Sequence, residues 1–175
     1  MKKLIFISLL FSILSLSVSA QKPTKAEKAA QLEQEFQQTR QLIESNHFQF
    51  ELNRVYPQDG QDLSRFNPRG KFVITDSVAK GTLPFFGRAY SLPYGEGGGI
   101  EFDGAMKDQS LKIEHKKKRK ILIYRFSITA KNDTYQISME ISGGGNCSVN
   151  LNSNNRAQIS YSGTVSPVKD ETGKS

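Results

Sequence analysis

From His47 onward apolar and polar residues alternate with a period of two, in short runs broken by turn-forming residues, and this pattern leaves few folds open. Phe48, Phe50 and Leu52 alternate with Gln49, Glu51 and Asn53, and the same rhythm returns at Phe72 and Ile74, at Ile100 and Phe102, and at Leu111 and Ile113. It continues through Leu122 to Ile128, Tyr135 to Ile141, Cys147 to Leu151 and Ala157 to Tyr161. With the segment Val78 to Leu83, the pattern predicts about nine half-buried strands. The later breaks are Lys116 to Lys118, Lys131-Asn132-Asp133, Gly143-Gly144-Gly145 and Ser153-Asn154-Asn155. Most of these are rich in Gly, Asn and Asp, which accept positive φ, and connections this short force antiparallel neighbours. A meander with one apolar face must close into a barrel or curl over a helix to bury it. The expected fold class is mainly β, a barrel or a strongly curved sheet. Alternation alone does not say whether the apolar face points inward or toward lipid. The short strands, the lack of aromatic girdles and the polar C-terminal end argue for the inward choice.

One helix precedes the strands. Thr24-Lys25-Ala26-Glu27 has the spacing of a capping box, in which the threonine hydroxyl and the glutamate carboxylate each satisfy an orphan backbone donor. Ala29, Leu32, Phe36, Thr39, Leu42 and Ile43 then fall on one stripe, with Glu33, Gln34, Gln37, Gln38 and Gln41 around the rest. The apolar seam is too short for a coiled coil, so a helix over about 25–45 is expected to dock on its own domain, stopping at Ser45-Asn46.

The first twenty residues read as an export signal: Lys2 and Lys3, an apolar run from Leu4 to about Leu16, then Val18-Ser19-Ala20. The apolar run is shorter than the ~20 residues that span a bilayer, so cleavage after Ala20 is expected, with no transmembrane segment left. No cysteine follows it, which excludes the lipoprotein route. The expected location is periplasmic or secreted. One domain over 21–165 and a disordered tail over 166–175 complete the predicted organisation. Loss of Lys2 and Lys3 lowers the formal charge from +7 to +5, a modest excess that makes nucleic acid an unsuitable partner for an exported protein. The one cysteine, Cys147, rules out an intrachain disulfide framework and a multi-cysteine zinc site.

The stretch Leu83-Pro84-Phe85-Phe86-Gly87-Arg88-Ala89-Tyr90-Ser91-Leu92-Pro93-Tyr94-Gly95, running on to Gly98-Gly99-Ile100-Glu101-Phe102, resembles the signature of a secreted bacterial family, the domain of unknown function 4251. His47-Phe48-Gln49-Phe50-Glu51 with Asn53-Arg54-Val55-Tyr56-Pro57 resembles it too, as does Asn152-Ser153-Asn154-Asn155-Arg156 leading to Ile159-Ser160-Tyr161-Ser162-Gly163. The resemblance covers roughly Gln38 to Val165 and implies an exported Gram-negative protein with a lipocalin-like antiparallel β-barrel. It implies no activity. Some relatives look like lipoproteins, from which this chain departs by lacking the modified cysteine.

No catalytic constellation stands out. With only His47 and His115 present, a Ser-His-Asp arrangement has few ways to form. The acidic group Glu96, Glu101, Asp103 and Asp108 matches no calcium loop, and Cys147 alternates with Val149 and Leu151 as a core residue would. Gly95, Gly97, Gly98 and Gly99 lack the lysine and helix that a phosphate loop needs. The run His115-Lys116-Lys117-Lys118-Arg119-Lys120 reads as a solvated hairpin tip, with acidic glycan or lipid headgroups as the functional alternative. The predicted function is a non-enzymatic envelope protein that uses no cofactor or metal, a small-molecule or lipid-binding module whose expected ligand is small and amphipathic or acidic. The competing reading is a structural or interaction protein whose barrel is filled by side chains. The ligand residues predicted are Phe85, Phe86, Arg88, Tyr90 and Tyr94 in the long 83–99 segment, with Arg54 and Tyr56 as companions. Aromatic faces beside one planar cation suit a carboxylate or phosphate headgroup. The opposing expectation is that the aromatics plug the barrel end and Arg88 pairs with a carboxylate such as Glu101, with no ligand.

Overall fold

The computed structural model describes residues 24–58, 61, 63–90, 98–116, 119–130 and 133–169. Helix α1 (Lys25–Glu44) is followed by β1 (His47–Pro57), a single 3-10 turn (Ser64–Phe66), β2 (Lys71–Thr75) and β3 (Val78–Leu83). Then come β4 (Ile100–Lys116), β5 (Arg119–Thr129), β6 (Thr134–Ser142), β7 (Asn146–Ser153) and β8 (Ile159–Pro167). Each strand pairs with the next, and β8 returns to β1, closing an antiparallel barrel. The predicted fold class is the one observed.

Helix α1 starts as its sequence requires: Thr24 N–H donates to the Glu27 carboxylate (2.7 Å) and Glu27 N–H to the Thr24 hydroxyl (3.2 Å). It stops at Asn46, which takes a positive φ of 49°. Of the predicted stripe, Phe36, Thr39 and Ile43 are buried, whereas Leu32 is 61% exposed.

Eight strands form where nine were expected, because the two runs assigned to Ile100–Phe102 and Leu111–Ile113 belong to one strand, β4. The polar residues between them look like a loop in sequence, but they form a bulge. The register with β5 shifts between Lys107 and Ser110, and Asp108 adopts a φ of 54°, so the strand bends without ending. β8 likewise continues to Pro167, past the expected domain end, and Lys169 N–H donates to the Gln49 side chain (3.3 Å). This contact helps bury Gln49, a residue that alternation alone would place on the polar face. The predicted disordered tail therefore does not begin at Ser166. The export segment and residues 170–175 lie outside the described residues, as do the expected turn residues 117–118 and 131–132. Gly144 and Gly145 turn between β6 and β7 at φ 80° and 81°.

The apolar face points inward. Phe50 and Phe72 stack at 5.0 Å, Phe72 meets Phe102 at 5.8 Å, and Phe102 meets Tyr135 at 6.2 Å. Gly81 and Gly163 make room for this chain of rings: a Cβ on Gly81 would overlap Phe72, and one on Gly163 would sit 2.7 Å from the Phe50 ring. Ser138, Asn150 and Ser160 share one outward register row, so this face of the wall is polar, the reverse of a membrane-spanning barrel.

Two different structures lie at the ends of the barrel. At the end where β1 begins, the part of α1 from Leu32 onward contributes Phe36 and Ile43 to the core. Lys120 lies over the Phe36 ring (5.6 Å) and pairs with Glu33 (2.9 Å), while the Tyr124 hydroxyl donates toward the side-chain oxygens of Asn46 (3.1 Å) and Gln109 (3.0 Å). The opposite end carries the β1–β2, β3–β4, β5–β6 and β7–β8 connections.

Candidate functional site

The β3–β4 connection is tied to the β7–β8 connection by its backbone. Ala157 N–H donates to Arg88 O (2.9 Å), Tyr90 N–H donates to Asn155 O (2.8 Å), and Ala89 bridges Arg156 between them. Arg88 and Tyr90 flank the bridged Ala89, so both project to the side away from it. They line, with Phe86, Pro57, Gln58, Leu63 and Ala157, a surface groove of about 750 Å³. Phe86 is 37% exposed and Tyr90 62%. The Arg88 guanidinium has no hydrogen-bond or ion-pair partner among the described residues, Glu101 included. Three of the predicted ligand residues therefore meet in one place.

Phe85, Arg54 and Tyr56 do not join them. Phe85 is half-buried against the core, and Arg54 and Tyr56 stand on the outer face of β1, opposite Ser162 and Ser160. Tyr94 lies outside the described residues. The expected pairing of Arg88 with Glu101 is corrected by the structure: the cation that closes the barrel end is Arg156, which alternation did not single out. Its side chain is buried at 5% exposure, with the guanidinium over the Phe85 ring (5.1 Å), Nη1 donating to Gly98 O (3.3 Å), and Nε 3.9 Å from the Asp133 carboxylate. Asp133 also accepts from the Ser153 hydroxyl (2.6 Å) and from Thr134 N–H (2.8 Å). Beneath this cluster the Tyr161 hydroxyl donates to Pro84 O (2.9 Å). Burial pushes the Tyr161 phenol well up from its ordinary value, against a smaller pull from the Arg156 charge. The available signal was the family-like stretch Asn152 to Arg156, the one place in that polar connection where a cation precedes an apolar strand.

A larger outer groove of about 930 Å³ lies along β1–β4, and in it Lys80 pairs with Asp103 at 2.7 Å. Burial, reinforced by Glu140, pushes the Cys147 thiol up, the opposite of what a nucleophile needs. His47 and His115 are both exposed. Among the described residues no three His, Cys, Asp or Glu side chains gather as a metal would require, and no helix is long and apolar enough to cross a membrane.

The family model of a domain of unknown function, DUF4251, matches residues 30–165. The chain belongs to the DUF4251 family. Its fold is similar to the 1.95 Å crystal structure of a DUF4251 family protein from Bacteroides eggerthii DSM 20697, at 22% identity and a TM-score of 0.56. The similarity covers 79% of this chain and 91% of the other. No curated protein matches. What the family shares here is the barrel, and no activity is assigned to it.

Proposed function

We infer that this DUF4251 protein is an exported, non-enzymatic binding module that takes a small amphipathic anion at the loop rim and not inside the barrel. The observation that carries this reading is Arg88, an exposed cation without a partner among the described residues, standing between Phe86 and Tyr90 over the rim groove. Exposed aromatic faces beside a planar donor fork match an acidic headgroup attached to a flat or apolar body. The ring-packed interior supports the rim over the lumen as the place of binding. Export rests on the charged start, apolar run and Val18-Ser19-Ala20. Protein recovered from its own envelope is then expected to begin at Gln21.

The test uses anilinonaphthalene sulfonate, a flat aromatic anion, titrated against the folded mature protein and followed by fluorescence. The wild type is expected to bind it saturably, and Arg88→Ala to weaken binding about tenfold, the scale of one charge-assisted contact, with an unchanged melting temperature. Equal binding by both proteins would sink the rim reading.

A further inference from the structure

Strand β4 overshoots the strand that precedes it. β3 pairs with β4 only over Ile100–Ala105, whereas β5 stays paired to β4 as far as Lys116. From Lys107 to Lys116, one side of β4 therefore faces no strand among the described residues, and none of these residues is buried. The hydrogen-bond phase of this open edge is fixed. Met106 N–H donates to Ser77 O on the β3 side (2.7 Å) opposite Ile128, so the odd-numbered residues of β5 are the ones that bond to β4. Their partners beyond the bulge are Ser110, Lys112, Glu114 and Lys116. Leu111, Ile113 and His115 consequently turn their N–H and C=O groups toward the open edge.

The side chains along this edge are self-complementary about Ile113. Lys112 and Glu114 flank it, each exposed and without an ion-pair partner among the described residues. Ile113 itself is 41% exposed. If a second copy runs antiparallel about a two-fold axis through Ile113, Lys112 of each copy faces Glu114 of the other. Ile113 then faces Ile113 as a hydrogen-bonded pair, and Leu111 faces His115. All three edge-facing residues find partners at once, giving about six backbone hydrogen bonds, and the flanking non-bonded pairs bring the opposite charges closest. We propose that β4 is a dimerisation edge at which two copies of this chain join their barrels into one continuous sheet, centred on Ile113 and keyed by Lys112 and Glu114. An isologous contact of this kind uses one patch twice and closes on itself. The charged key also discriminates against unrelated strands, which an open edge would otherwise invite.

The mature protein is examined by sedimentation velocity over a concentration series. The wild type should pass from monomer to dimer. Glu114→Lys, which sets Lys112 against lysine in the other copy, should weaken association about tenfold or more, as should Lys112→Glu. The double variant Lys112→Glu/Glu114→Lys restores opposite pairs by exchange, so it should return dimerisation close to the wild-type level. Both positions lie on exposed surface, and unchanged circular dichroism and melting temperature confirm the fold of each variant. A wild type that stays monomeric throughout overturns the proposal, as does a dimer indifferent to Glu114→Lys or a double variant no better than the singles.

Discussion

The two ends of this barrel are closed by different chemistry, and they leave different groups exposed. At the helix end, Phe36 and Ile43 insert into the core, and Lys120 pairs off with Glu33 while covering the Phe36 ring. Here apolar side chains and one ion pair seal the end together. At the loop end a buried cation does the sealing: Arg156 reaches the β3–β4 connection through Gly98 and Phe85, and the β5–β6 connection through Asp133. That single side chain releases Arg88, Phe86 and Tyr90 from structural duty and leaves them at the rim. A fold whose core is packed with rings can thus still leave aromatic and cationic side chains exposed at its rim, provided that a residue beneath them carries the structural load.

The largest expected effect breaks the loop end. Arg156→Ala removes the partner of a buried carboxylate and the cover of Phe85, and Nε already lacks a hydrogen-bond partner. Breaking a buried pair from one side costs about 3–5 kcal/mol. The loss should be near the lower figure, since Asp133 keeps Ser153 and Thr134, and anilinonaphthalene sulfonate binding should fall with it. Phe36→Ala should cost about 3 kcal/mol by emptying a buried aromatic site, yet leave dye binding intact. Urea unfolding with dye titration on both variants checks the pair. Equal loss of dye binding from both would mean that the two ends are not independent.

How much of this was legible in the sequence follows the same division. Alternation, the capping box and the glycine turn needed only local chemistry, and they placed α1, the strands and the class of fold. The bulge at Asp108 escaped because a bulged strand and a loop have the same polar composition, and only pairing with β5 tells them apart. At the rim, the aromatic run marked the right connection and placed Phe86, Arg88 and Tyr90 together. It could not divide labour between Arg88 and Arg156, since burial of a cation depends on Phe85, Gly98 and Asp133 arriving from two separate connections. Arg54 and Tyr56 were drawn in by nearness in sequence to the end of β1, but the strand turns them outward.

Alkali offers a smaller test that again separates the ends, because a buried tyrosine with a raised pKa lies at each. Burial pushes the Tyr124 phenol at the helix end from 10.0 up to about 12, and that of Tyr161 at the loop end higher still. A phenol whose folded pKa lies above its unfolded value gives its full stabilisation below the unfolded pKa. Above pH 10.0 the unfolded chain releases the proton and the folded one retains it, so stability falls as the pH rises toward about 12. Tyr124→Phe and Tyr161→Phe should each flatten that decline in urea titrations, Tyr161→Phe over the wider range. A decline as steep in both variants as in the wild type would remove the tyrosines as its cause.

The smallest effect expected lies on the acid side and belongs to the helix end alone. The hydrogen bond from Lys120 holds the Glu33 carboxyl below its ordinary 4.5, with help from Gln37. A depressed folded pKa contributes stability above the unfolded value and loses it as the pH falls through the folded one. The wild type should therefore be slightly more stable than Glu33→Gln at neutral pH, with the two converging below 4.5. Because the pair is solvated, moderate salt should erase most of the difference at any pH. Urea midpoints of the two proteins, taken across the acid range at low and high salt, decide the matter. A gap that survives both acid and salt would assign the role of Glu33 to packing on α1 and not to its charge.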